Sequence, residues 1–194
     1  MIVGLIGYKN AGKTQITQAF RGLYPELPVR MIGFSNPLYK MLGVLGITED
    51  EIQDKPNRNT PHPKLGGKSI QFALNSLGTD WGRKMIHENI WTDRAMDDAQ
   101  SHLINFADNV RFPNEFDAVI DRDGLTVAII NPNVCDDGTA PEAHIADLQE
   151  QADYKLFNDP AKKSLNDCAN ELYQAIIQFR LNKCRTTKSF TLEV

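Results

Sequence analysis

Apolar positions along the chain fall at two spacings. Ile2-Val3-Gly4-Leu5-Ile6 is an unbroken apolar run, rich in β-branched residues and stopped at Gly7, which predicts a short buried strand. Past Thr14 the spacing becomes helical, with Ile16, Ala19, Phe20 and Leu23 three and four residues apart. A second strand is expected over 29–34. A helix should follow over 35–46, capped by Ser35 or Asn36, with Pro37 in its first turn. Residues 47–68 hold Pro56, Pro61, Pro63 and the pair Gly66-Gly67, and read mostly as loop. Residues 69–78 read as a helix capped by Ser69, and one or two more helices are expected over 80–100. Strands then return at 102–108 and 125–133, with a short helix between them closing at Gly124. Residues 133–152 read as acidic and irregular, 153–159 as a last strand. Over 161–183 an amphipathic helix closes the pattern, its apolar face formed by Leu165, Cys168, Ala169, Leu172, Ile176 and Phe179. Strands alternating with helices predict an α/β fold, a parallel sheet of about five strands covered by helices on both faces.

The break between the first strand and the first helix holds Gly7-Tyr8-Lys9-Asn10-Ala11-Gly12-Lys13-Thr14, the spacing of a phosphate-binding loop. Gly7 and Gly12 let the backbone turn sharply and bring its N–H groups close to phosphate oxygens. The helix that starts near Lys13 adds its positive end. Lys13 is then expected to reach the β- and γ-phosphates of ATP, and the Thr14 hydroxyl to ligate Mg²⁺. Lys9, Asn10, Ala11 and Gln15 complete the segment in contact with the nucleotide. The predicted fold class is therefore the P-loop NTPase type of parallel sheet, with the ligand at the carboxyl ends of its strands.

Length and charge narrow the class. A chain of 194 residues suits one domain, with room for a helical and loop-rich insertion around 46–100 that binds substrate. The net charge of −4 argues against a nucleic-acid-binding face. No apolar stretch is long enough for a membrane span, and the start runs straight into a strand rather than a signal peptide. Cys135, Cys168 and Cys184 are scattered and odd in number, and read as free thiols of a cytoplasmic protein, monomeric or homodimeric. A GTPase is disfavoured because no Asn-Lys-x-Asp base-reading motif is present, and a motor ATPase because the chain is short. A kinase acting on a small substrate fits best.

Residues 55–68 contain Lys55, Arg58, His62, Lys64 and Lys68 with no acid, so Arg58 and Lys68 are candidates to hold a substrate phosphate. Trp81 offers an aromatic face for a base, with Arg83 as a phosphate clamp. The strand at 102–108 runs into Asp108-Asn109-Val110-Arg111, which sets a carboxylate near Mg²⁺ and an Arg near the transferring phosphoryl. Glu115 either orients Arg111 or caps the following helix. The histidines, His144 included, lack the Cys or His neighbours of a metal site.

The stretches LGTDWGRKMIHENIW (77–91) and NVRFPNEFDAV (109–119) resemble the bacteriophage deoxynucleoside monophosphate kinase family. PHPKLGGKSIQFALNSLGT, AHIADL and FNDPAKKSLNDC are similar to further segments of that family, in the same order. The resemblance implies transfer of the γ-phosphoryl of ATP to a dNMP in the cytoplasm of an infected cell. Two departures accompany it. The family usually has Asp directly before Val-Arg, where this chain has Asn109 with Asp108 one position earlier, leaving the metal-side residue open between them. It also tends to carry Arg before Pro after the next strand, where this chain has Asn131, and no Lys or Arg lies between Gly124 and Tyr154. Alternatives are a dephospho-coenzyme A kinase-like enzyme, a nucleotide-binding regulatory module without turnover, and an accessory protein of a replication or nucleotide-synthesis complex.

Overall fold

Elements follow one another as β1 (Ile2–Ile6), α1 (Lys13–Leu23), β2 (Val29–Ile32), α2 (Asn36–Val44), α3 (Glu49–Gln53), α4 (Ile70–Asn75), a π-helix (Ser76–Ile86) and α5 (Ile90–Asp97). Then come β3 (Ile104–Val110), α6 (Pro113–Ile120), β4 (Leu125–Ile130), α7 (Ile145–Gln151), β5 (Tyr154–Phe157) and α8 (Leu165–Phe190). This computed structural model describes residues 1–138 and 142–190, the side chains of 186–190 excepted. Its contacts divide the chain into two compact units, Met1–Met31 with the chain from Ala99 onward, and Ile32–Asp98.

The first unit is built on the sheet. All of β1 is buried, as a strand must be when it has neighbours on both edges and helices on both faces. The strand order is β2-β3-β1-β4-β5, parallel throughout, as expected. Side chains alternate across the sheet. Val3 and Leu5 join Phe106, Val127, Ile129 and Leu156 in one core against Ile16 and Phe20 of α1 and Cys168, Leu172 and Ile176 of α8. Phe20 meets Phe106 edge-on at 5.3 Å between ring centroids. Gly4 points the other way, and a Cβ there would press on Val119 of α6. Leu165, expected on the apolar face of α8, is exposed instead, because the helix only begins there; Ala175 takes a buried place further along.

The second unit is helical. Leu42, Ile47, Ile52, Ile70, Leu74 and Trp91 form its core. The 47–68 segment is not all loop: α3 is capped by Thr48, whose N–H donates to Glu51 Oε2 at 2.7 Å while Glu51 N–H donates to the Thr48 hydroxyl at 3.3 Å. That reciprocal cap stabilises a helix too short to show a period. α7 departs from the irregular reading of 133–152 for the same reason of length, burying Ile145 and Leu148. The 76–86 stretch winds as a π-helix, a wide turn more frequent at functional sites than elsewhere. Two small residues bring Trp91 against it. The Trp91 indole N–H donates to the Gly78 carbonyl at 2.7 Å, and a Cβ on Gly82 would overlap the Trp91 ring.

Candidate active site

The predicted phosphate loop runs from the carboxyl end of β1 to the start of α1. Chain leaving β1 passes to β2 on one side of the sheet, whereas chain leaving β3 crosses to β4 on the other. That reversal opens the crevice in which parallel sheets bind ligands. Two residues carry the turn, Asn10 at φ 65° and Gly12 at φ 98°, both in the left-handed region. Only glycine adopts the second without strain. Gly7 is needed for space, since a Cβ there would lie 2.7 Å from the Ile129 carbonyl oxygen.

Lys13 folds back along its own loop. Its Nζ donates to the carbonyls of Gly7 at 2.5 Å and Tyr8 at 2.9 Å, and the residue is only 8% exposed. Burial, with repulsion from Arg111, lowers its pKa to about 8, against the opposing pull of Asp108 and Glu142. A cation so poised gains from an anion placed beside it.

The polar end of β3 holds the second part of the site. Gly4 pairs with Ala107 and Ile6 with Val110, so β3 carries one residue more than β1 across this interval. The bulge falls on Asp108-Asn109, and bulges re-aim side chains. The two residues take different directions. Lys13, Arg111 and Thr14 each act to lower the pKa of the Asp108 carboxylate; burial nevertheless pushes it up. The Asn109 side chain instead accepts from Arg111 Nε at 2.6 Å. Buried Glu115 takes the backbone N–H of Arg111 at 2.9 Å and of Phe112 at 3.3 Å, so it both caps α6 and steadies the backbone of Arg111.

Two residues without an assigned role in the sequence reading touch the loop. Glu142, only 2% exposed, accepts the Lys9 N–H at 2.6 Å through Oε1 and the Asp137 N–H at 3.3 Å through Oε2. Lys9 Nζ lies 3.9 Å from Asp137. The segment that lacks Lys and Arg thus brings acid to the phosphate loop, and Asp136 and Glu142 add to burial in raising the Tyr8 phenol pKa. Asn158 donates from Nδ2 to the Ala11 carbonyl at 2.8 Å. No local spacing marks either contact, because the partners lie 133 and 147 residues away. His144 stands at the residue before α7 without capping it through its side chain, its ring 6.3 Å from that of Phe112.

The remaining candidates lie in the second unit. The Arg58 guanidinium stands over the Tyr39 ring at 5.9 Å and reaches the Tyr39 hydroxyl at 3.4 Å. Its buried Nε has no hydrogen-bond partner among the described residues, which leaves a donor for an anion. Lys68 lies 5.2 Å from the Phe72 ring centre, while Lys64 is engaged with the Gly46 carbonyl and His62 with Glu51. Trp81 is 38% exposed and tilted against Trp91 at 6.0 Å, so part of one aromatic surface is open. Arg83 is half-buried on the same π-helix.

No family model matches the chain. It is 28% identical over 193 residues to a protein of Acanthamoeba polyphaga mimivirus whose name proposes a deoxynucleotide monophosphate kinase, covering 91% of this chain and 94% of that one. Among solved structures it is similar to shikimate kinase from Bacteroides thetaiotaomicron, with a TM-score of 0.51 and 14% identity over 91% of this chain and 98% of that one. Shikimate kinase from Aquifex aeolicus is alike at a TM-score of 0.50 and 14% identity, over 93% and 99%. The fold is therefore that of the small P-loop kinases.

Proposed function

We propose that the protein transfers the γ-phosphoryl group of ATP to a deoxynucleoside monophosphate, giving the diphosphate and ADP. The observation that supports this best is the convergence of Lys13, Thr14, Asp108 and Arg111 on one loop, because phosphoryl transfer needs positioned charge more than covalent chemistry. The acceptor class is drawn from the mimivirus relative and from the stretches at 77–91 and 109–119.

In this reading the loop from Gly7 to Gln15 cradles the phosphates of ATP, with Lys13 releasing its two carbonyls to meet them. Thr14 and Asp108 offer a hydroxyl and a carboxylate that influence each other, a hard oxygen pair that would suit Mg²⁺ completed by water. Mg²⁺ held there would offset charge on the β- and γ-phosphates. Arg111, held by Asn109, meets charge that develops on the transferred group. The acceptor is bound by the second unit. Arg58 and Lys68 attract its phosphate, Arg83 clamps it, and Trp81 faces the base; Glu115 acts on the acceptor side through Arg111.

The decisive experiment incubates the protein with ATP, Mg²⁺ and one acceptor at a time: dGMP, dTMP, dCMP, dAMP, dephospho-coenzyme A and shikimate. ADP and the phosphorylated product are then measured by chromatography. Conversion of at least one dNMP is expected. Product from dephospho-coenzyme A or shikimate with every dNMP untouched would overturn the acceptor class. ATP binding without turnover on any acceptor would point to the regulatory alternative.

A further inference from the structure

Asn158 directly follows β5, is 3% exposed, and takes no part in the chemistry above. Its backbone is fixed to the sheet, its N–H donating to the Ile130 carbonyl at 2.8 Å. Its side-chain Nδ2 donates to the Ala11 carbonyl at 2.8 Å, inside the phosphate loop. A Cβ on Gly12 would overlap that nitrogen, so the amide is pressed against the Ala11–Gly12 peptide. The absence of a side chain at Gly12 therefore serves Asn158 as well as the turn.

A peptide unit is planar and trans, so the carbonyl of Ala11 and the N–H of Gly12 point in opposite directions. Whatever holds the carbonyl also aims the N–H. An amide can hold it only with nitrogen toward the loop, and the other end of the side chain enforces that choice. Cys168 of α8, fully buried, places its thiol 3.6 Å from Asn158 Oδ1 and 3.9 Å from the Phe157 carbonyl. Burial pushes the Cys168 thiol pKa up, so it stays protonated and donates. The oxygen of Asn158 faces a donor and its nitrogen an acceptor, the orientation that satisfies both.

We infer that Asn158 is a positioning residue of the phosphate loop: it holds the Ala11 carbonyl outward and so aims the Gly12 N–H at a bound phosphate. The inference rests on the loop holding a nucleotide, and is independent of which acceptor the enzyme uses. Charge falls on the phosphate oxygens, and a preset donor avoids reorganisation at the moment of binding.

Calorimetric titration with ADP and, separately, with inorganic tripolyphosphate tests this without any acceptor. Asn158→Ala should weaken both by about tenfold, the value of one hydrogen bond to a charged group. Its circular dichroism should remain that of the folded protein. Equal loss for both ligands is the signature of a phosphate-side effect. A variant that melts earlier yet binds both ligands as the wild type does would make Asn158 merely structural and overturn the inference. Wild-type protein that binds neither ligand would instead refute the nucleotide reading itself. Should Asn158→Ala fail to fold, amide NMR of the wild type decides. A slowly exchanging Asn158 side-chain amide, with the Gly12 N–H shifted downfield by ADP, supports the role. Exchange of that amide at the rate of a free asparagine, or a Gly12 resonance unmoved by ADP, overturns it.

Discussion

The buried carboxylate of Glu142 accepts the Lys9 N–H at 2.6 Å, so an acid sits against the loop proposed to receive a triphosphate. Two effects then oppose each other. The hydrogen bond steadies the loop, while the negative charge disfavours another anion nearby. Glu142→Gln separates them, because the amide oxygen still accepts the N–H but carries no charge. ATP should bind that variant about two- to tenfold more tightly, and ADP less affected, since the γ-phosphate adds charge. Glu142→Ala removes the acceptor as well and should cost about 1–3 kcal/mol of stability. Calorimetric titration and chemical denaturation measure the two. Unchanged or weaker ATP binding by Glu142→Gln would mean that the charge is not felt at the phosphates.

Lys13 makes a prediction with a definite sign in pH. Its pKa in the folded chain is about 8, below its ordinary 10.5, so between those values the unfolded state binds more protons. Stability must then rise with pH across that window, by up to about 3 kcal/mol from this group alone. Below pH 8 the charged, buried ammonium is a burden on the empty protein. In Lys13→Met the group is gone, so the variant's stability relative to wild type should fall as pH goes from 8 to 10.5. Parallel denaturation curves across that range would refute the buried charge. In turnover, Lys13→Ala should lose about 10²-fold or more in kcat.

Lys13 was legible because its signal is local: a glycine spacing, a strand before it and a helix after it. The five-stranded sheet was legible for a similar reason, its strands being short stretches rich in apolar residues between turn residues, most plainly in β1 and β4. The pairs Glu142–Lys9 and Asn158–Ala11 were not, since each joins loops brought together only by the sheet, 133 and 147 residues apart. What gives Asp108 and Asn109 different neighbours is a bulge in β3 that no spacing announces. α3 was hidden by the prolines that follow it, although its Thr48-to-Glu51 cap is plain in the sequence.

Arg83 is expected to grip the phosphate of the acceptor. Guanidinium binds phosphate with two parallel bonds, which an ammonium does not replace. Arg83→Lys should therefore raise KM for the dNMP at least about tenfold while KM for ATP changes little. Initial rates with each substrate varied in turn separate the two. A rise confined to ATP would assign Arg83 to the donor instead.

Arg111 is the cation proposed to meet the transferring phosphoryl, since no Lys or Arg lies from Gly124 to Tyr154. Its Nε is tied to Asn109 and its backbone to Glu115, so the guanidinium is held rather than free to swing. A group preset in this way acts on charge that appears only during transfer. Arg111→Ala should lower kcat by about 10²- to 10³-fold, with ATP and dNMP binding nearly unchanged. The same substitution carries a second readout. Arg111 is the charge that, after burial, contributes most to depressing Lys13, so its removal should raise the Lys13 pKa above about 8. The alkaline limb of ADP affinity should then move to higher pH. Asn109→Ala leaves the charge and removes the tether, so it should reduce kcat less and leave that limb in place. If kcat holds in Arg111→Ala and only dNMP binding weakens, Arg111 is an acceptor clamp. If neither changes, the residue is structural. Arg94, paired with Asp98 at 2.7 Å, then becomes the next cation to replace.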